Sequence, residues 1–157
     1  MLIQFNDYLT FENIYLWANF GVLPFWLMLI FIPNSRVSKI FLNSMFLPLI
    51  FGSIYTYVIY QIILLEEPIL NIFNLYLSLE NLYIIFATES FLLLFWIHYL
   101  IINLFIGFWV ARDGVKYNIS KKLILIPIIF IYFAGPLGLV LYWFIRIFYS
   151  KKLGFYD

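Results

Sequence analysis

The 157-residue sequence contains no cysteine, a single histidine, and few charges, which make up 11% of the chain. Without cysteine there can be no disulfide, no thiolate nucleophile and no Cys-ligated metal. One histidine cannot supply a multi-histidine metal centre within one chain, so no metal and no cofactor are expected. The formal net charge is only +1, and nothing in the sequence resembles the basic stripe that nucleic acid requires. The first residues, MLIQFNDYLTFENIYLW, lack the basic stretch of a signal peptide and the Arg/Ser-rich character of a transit peptide. The expectation is a chain that inserts through its own first span, into a bacterial inner membrane or, if organelle-encoded, a plastid membrane.

What fills the chain is apolar: 66% of residues, with a mean hydropathy of +1.01. A soluble domain of this size could not stay dispersed with so little charge on its surface. Apolar runs longer than about 18 residues recur, which marks transmembrane helices. Aromatics reach 24%, in a composition also rich in Ile, Asn and Lys. Codon bias accounts for part of that, so the many Phe residues are read as lipid-facing or interhelical.

The reading is all-α: an integral membrane four-helix bundle forming one domain over 1–157. Its spans lie at about 13–32, 40–65, 84–111 and 122–148. The first contains Pro24, expected to kink it or delay its regular start, and stops at Pro33-Asn34-Ser35. The second closes at Glu66-Glu67-Pro68. Between spans two and three, 69–83 is dotted with Asn and Ser and is read as an interfacial helix. The fourth span is interrupted by Pro127 and by Gly135-Pro136-Leu137-Gly138. Arg36, Lys39, Arg112, Lys116, Lys121 and Lys122 flank loops one and three, against Arg146, Lys151 and Lys152 near the C-terminus. The positive-inside rule then places those two loops in the cytoplasm and both termini outside. A monomer of this size encloses no wide pore, so any transport would need a homo-oligomer.

The segment Trp96–Asp113, WIHYLIINLFIGFWVARD, concentrates polar groups in an apolar span, where an unsatisfied donor or acceptor is costly. At about 100° per residue, Glu89, Trp96 and Asn103 fall on one stripe and His98, Phe105, Trp109 and Arg112 on another. Polarity on two flanks suits a span enclosed by the other three. Gly107 and Ala111 form a small-xxx-small pair that permits close helix approach. His98 reads either as a proton donor and acceptor or as an interhelical hydrogen-bond partner. Asn103 suits a bridge between two helices, and Arg112 suits an interfacial anchor. Asn19, between Trp17 and Pro24, is hard to explain as lipid-facing, whereas Trp17, Trp26 and Tyr15 suit an aromatic belt. The break at Gly135 and Pro136 frees backbone groups that must meet neighbours or a cavity.

Taken together these residues resemble the neoxanthin-synthase-like family, small membrane proteins named from the plant abscisic-acid-deficient locus. Trp17-Ala18-Asn19 with Pro24-Phe25-Trp26 and Pro33 resembles its opening. Trp96, His98, Tyr99, Leu100, Leu104, Gly107 and Trp109 follow its core motif. Asp113 matches a further acidic position, and Gly135 to Leu139 with Tyr142 and Arg146 resembles its closing motif. Asn103 stands where that core motif has aspartate, and an asparagine cannot act as a carboxylate base.

The resemblance implies conversion of violaxanthin to neoxanthin, an isomerisation that opens an epoxide and creates an allene. Such chemistry needs an acid at the epoxide oxygen and a base at the carbon losing its proton. On this resemblance His98, Tyr99 and Asp113 are the candidate catalytic residues. Trp96, Asn103, Trp109, Asn19, Trp26, Gly135 and Pro136 are the candidate ligand-binding residues. The expected partners are membrane lipids and a carotenoid or other apolar ligand. A non-catalytic bundle that supports assembly of another membrane complex stands as the alternative.

Overall fold

The computed structural model describes residues 9–33, 35–43, 46–64, 76–151 and 154, with backbone alone at 39, 41–43 and 46–48. Among these residues the chain is all-helical. The helices are α1 Phe11–Phe31, α2 Arg36–Asn43, α3 Phe46–Leu64, α4 Leu79–Phe86, α5 Glu89–Lys116, α6 Lys121–Ala134 and α7 Pro136–Ser150.

Each helix starts and stops for local reasons. Thr10 Oγ1 accepts from the Asn13 amide at 3.2 Å, capping α1. The helix is unbroken for thirteen residues before Pro24, so the proline does not delay its start. Ser35 Oγ accepts from the Ser38 amide at 3.0 Å, and the buried Ser38 hydroxyl donates back to the Ile32 carbonyl at 2.7 Å. These bonds turn the chain from α1 into α2.

The expected third span begins differently from the sequence reading. Instead of one helix from 84, Ala87 and Thr88 separate α4 from α5. Ser78 caps α4 by accepting from the Asn81 amide at 3.1 Å. The Thr88 hydroxyl donates to the Ile85 carbonyl at 2.7 Å, where α4 gives way to α5. The cue was present in Thr88-Glu89-Ser90, a polar start signal inside an apolar run. Of the segment read as an interfacial helix, 69–75 lies outside the described residues, as do Asn34, Glu66-Glu67-Pro68 and Lys152. The part that is described places α4 in its last residues.

α5 continues to Lys116 and ends in a Schellman arrangement. Asn118, at φ +54°, donates to Val115 O at 3.1 Å, and Ile119 donates to Gly114 O at 2.9 Å. At 28 residues it is about 42 Å long at 1.5 Å per residue.

The chain divides into two compact units, Met1–Gly21 with Met45–Ile101, and Val22–Ser44 with Ile102–Asp157. In the first, Ile14, Ala18, Val58, Ile62, Leu93, Ile97 and Leu100 are buried. Their spacing of three and four within each helix is that of a single inward stripe. In the second, Val22, Trp26, Leu29, Leu104, Val110, Ile128, Ile131 and Tyr142 form the core. Here α6 and α7 pack closely at Gly138, where a Cβ would overlap the Ile131 amide and Pro127 carbonyl.

Large apolar side chains also cover the outside. Phe20, Phe31, Phe105, Phe133 and Phe148 are all more than two-thirds or nearly two-thirds exposed. α1 and α5 are long and apolar enough to cross a membrane by length and composition, while Leu49–Leu64 and Pro136–Ser150 are shorter apolar helices.

Candidate functional site

In the first unit the polar residues form a small aromatic cluster. Trp96 Nε1 donates to Asn19 Oδ1 at 3.1 Å, and Asn19 Nδ2 donates to the Tyr15 carbonyl at 2.7 Å. Asn19 therefore ties α1 to α5, which explains an amide in an apolar helix. The Trp96 ring stacks on Tyr99 at 5.3 Å and 24°, and lies 6.1 Å from Tyr15. Trp17 and Tyr15 are both exposed, as an aromatic belt requires.

His98 lies on the outer surface of α5, with its ring 6.3 Å from that of Tyr55 in α3. It makes no hydrogen bond among the described residues, so the interhelical bond that sequence allowed is not formed. Phe105 and Arg112, expected on the same stripe, are exposed too. The stripe therefore faces outward at His98, Phe105 and Arg112, whereas Trp109 within it is half-buried and meets Tyr142. The reason is that apolar neighbours surround His98 on a helix whose small residues, Gly107 and Ala111, lie on another face.

The second unit holds the remaining residues. Trp26 is buried, edge-on to Tyr132 at 5.3 Å and 80°. Its indole lies where only glycine fits: a Cβ at 107 would fall 2.8 Å from its Cζ3 and Cη2. Trp26 is therefore a core residue rather than part of an aromatic belt. The small pair Gly107 and Ala111 does admit a neighbouring helix, α1.

Asn103 is 4% exposed, and its Nδ2 has no hydrogen-bond partner among the described residues. Its Oδ1 abuts Gly135, where a Cβ would overlap it. Gly135 sits between α6 and α7 at φ +23°, a conformation that favours glycine. Pro136 opens α7 and is itself exposed. Having no amide hydrogen, Pro136 cannot bond the Tyr132 carbonyl four residues before it. A buried amide donor without a partner is costly by about 1–3 kcal/mol, so this position asks for an acceptor.

Asp113 is the acceptor of a buried network. Its Oδ2 receives Tyr142 Oη and Arg146 Nε, each at 2.7 Å. Arg146 is fully buried; its Nη1 donates to the Gly154 carbonyl at 2.6 Å and its Nη2 to Tyr117 Oη at 3.1 Å. The guanidinium also lies 4.8 Å from the Tyr117 ring centre, and Trp109 meets Tyr142 edge-on at 5.7 Å. Sequence reasoning placed Arg146 among the surface charges that orient the chain. Its burial against Asp113 removes it from that group, because a neutralised interior pair does not read the membrane surface. Tyr117, Tyr142 and Arg146 are the residues missed as site members. The available signal was a charged residue inside an apolar helix, which needs a partner of opposite sign.

Among the described residues no group of three or more His, Asp or Glu is disposed to hold a metal ion. The candidate residues thus fall into sets: Asn19, Trp96 and Tyr99 in the first unit; Asn103 with Gly135, Trp26 with Gly107, and Trp109 with the Asp113 network in the second.

Among the described residues these features define an all-helical protein whose apolar helices carry a few buried polar groups, most of them partnered and Asn103 Nδ2 not. Residues 13–142 match the family described as ABA DEFICIENT 4-like, and the chain belongs to that family. No curated protein and no solved structure matches it.

Proposed function

We propose that this protein is a four-span membrane protein, one domain over 1–157, that binds an oxygenated carotenoid. The observation that carries the reading is the unpartnered Nδ2 of Asn103 at the Gly135 break. A polyene with an epoxide, hydroxyl or carbonyl oxygen supplies an acceptor for that amide while its hydrocarbon length stays among apolar side chains. Membership of the ABA DEFICIENT 4-like family favours a carotenoid over other apolar ligands. The outward-facing Phe residues favour immersion in lipid, since a surface this apolar is otherwise an aggregation liability. A bacterial inner membrane or a plastid membrane would suit it.

In this reading Asn103 orients the ligand's oxygen, and Trp26, Gly135 and Pro136 shape the surroundings. Asp113, engaged by Arg146 and Tyr142, holds helices α5 and α7 together. Isomerisation of an epoxide to an allene would further require a proton donor and a base; His98 and Tyr99 are the first unit's candidates for that chemistry, separate from the binding role of Asn103 in the second unit.

The test is expression of the full chain in cells that accumulate violaxanthin, followed by purification and pigment analysis. Pigment should co-purify with the wild type and be lost from Asn103→Leu of unchanged helicity. A new allenic carotenoid, absent for His98→Ala, supports isomerisation; unchanged pigments limit the role to binding. A colourless wild-type protein overturns the carotenoid reading.

A further inference from the structure

The second unit also contains a cleft that the polar constellation does not use. Its volume is about 330 Å³, at the lower end of the range for small-molecule sites, roughly 300–1,000 Å³. Leu29 and Ile30 of α1, Ala111 and Val115 of α5, and Ile124 and Ile128 of α6 form apolar walls. The lining changes character at the turn between α5 and α6, where Asn118, Ser120 and Lys121 contribute. Lys121 is the one charged residue of the lining among the described residues.

The turn leaves these polar groups available. Asn118 takes φ +54°, which buries Ile119 while Asn118 and Ser120 stay exposed. Ser120 precedes α6, and its hydroxyl makes no capping bond. Lys121 is exposed and has no ion-pair partner among the described residues.

We propose that this cleft holds one acyl chain of an anionic phospholipid, whose phosphate meets the Lys121 ammonium and the Ser120 hydroxyl. The inference rests on the reading that the chain spans a membrane. The apolar walls suit a hydrocarbon chain, and transfer of its surface to them is favourable when the alternative is water. In a bilayer that gain is small, because the tail already lies in hydrocarbon. Selection must then come from the headgroup, where a single cation and a hydroxyl complement a phosphate. The Lys121 ammonium at the polar end of the cleft meets a headgroup of net negative charge, which favours an anionic lipid over a zwitterionic one.

The test uses full-length protein in a neutral detergent, titrated with phosphatidylglycerol or phosphatidylcholine of equal chain length, with bound lipid read by native mass spectrometry. The wild type should retain phosphatidylglycerol several-fold better. Lys121→Gln should bring the two lipids to parity, whereas Lys122→Gln, exposed and outside the lining, should keep the preference. Val115→Phe, which fills the cleft, should lower retention of both lipids. Equal retention by the wild type, or the same loss in both lysine variants, overturns the proposal. So does full displacement of the lipid by inorganic phosphate, which would mark a simple anion site. If Lys121→Gln loses helicity, Ser120→Ala and Val115→Phe decide the matter by the same readout. Carbonate extraction of cell membranes separates the two readings. Release of the protein overturns the membrane reading, while a retained protein without lipid preference overturns only the lipid site.

Discussion

Arg146 Nε and Asp113 Oδ2, 33 residues apart in the chain, meet at 2.7 Å with the arginine side chain fully buried. Two opposite charges removed from solvent are each expensive alone and tolerable only together. Tyr142, Tyr117 and the Gly154 carbonyl supply further polar contacts, so the pair belongs to a hydrogen-bonded network.

Removing one partner should therefore cost far more than removing both. Asp113→Ala or Arg146→Ala should destabilise the protein by about 3–5 kcal/mol, because each leaves an uncompensated buried charge. The double variant Asp113→Leu with Arg146→Met should be more stable than either single one. Thermal unfolding in detergent, followed by circular dichroism, measures all three. A double variant as unstable as the sum of the singles would contradict the pairing.

Tyr142→Phe keeps the ring against Trp109 and deletes only the hydroxyl that donates to Asp113. The expected loss is about 1.5–3 kcal/mol, the range for hydrogen bonds to a charged group. Denaturant titration of the variant against the wild type provides the value.

Glycines that look alike in sequence should respond oppositely to alanine. Gly107→Ala drives a methyl against the Trp26 ring, and Gly138→Ala drives one into backbone atoms of α6. Both should lose stability, Gly138→Ala more, because backbone cannot rotate aside. Gly21 and Gly52 have nothing within 4 Å of an added Cβ, so Ala there should gain about 0.5–1 kcal/mol from helix propensity. Melting temperatures of the four variants should separate into two groups.

Asn103→Leu should raise stability in ligand-free protein, since it removes a buried donor that lacks a partner. The gain should be on the order of 1 kcal/mol, offset in part by any misfit against Gly135. If Asn103→Leu is instead strongly destabilising, the amide has a structural partner and its role in ligand binding fails.

His98→Ala should change stability by less than about 0.5 kcal/mol, the usual limit for a surface position. His98 is exposed and makes no hydrogen bond among the described residues. A measurable loss of pigment conversion without a shift in melting temperature would then assign His98 to chemistry. A large drop in melting temperature would return it to packing.

Much of the helical architecture was legible in the order of residues. Pro33, Gly135 and the apolar runs mark where helices stop, because Pro and Gly act on the backbone locally. The small pair at Gly107 and Ala111 announced close packing for the same reason. The α4–α5 break was written as Thr88-Glu89-Ser90 but hidden by the apolar residues on either side. Orientation around α5 was not legible in the same way: a span with polar residues on two flanks has no single preferred inner side. His98 and Asn103, five residues apart on different stripes, were both open to an interhelical reading, yet one is exposed and the other is buried.

The sequence by itself determined an all-helical chain, its family, and the residues that would be costly to bury alone. Those properties depend on local backbone preferences and on composition. Only the tertiary structure decided that Arg146 pairs with Asp113, that Asn19 takes Trp96, and that Asn103 Nδ2 finds no partner among the described residues. Partners 33 or 77 residues apart are chosen by which helix faces meet. That choice is made by shape, through contacts such as Trp26 over Gly107, and shape is not periodic in the chain.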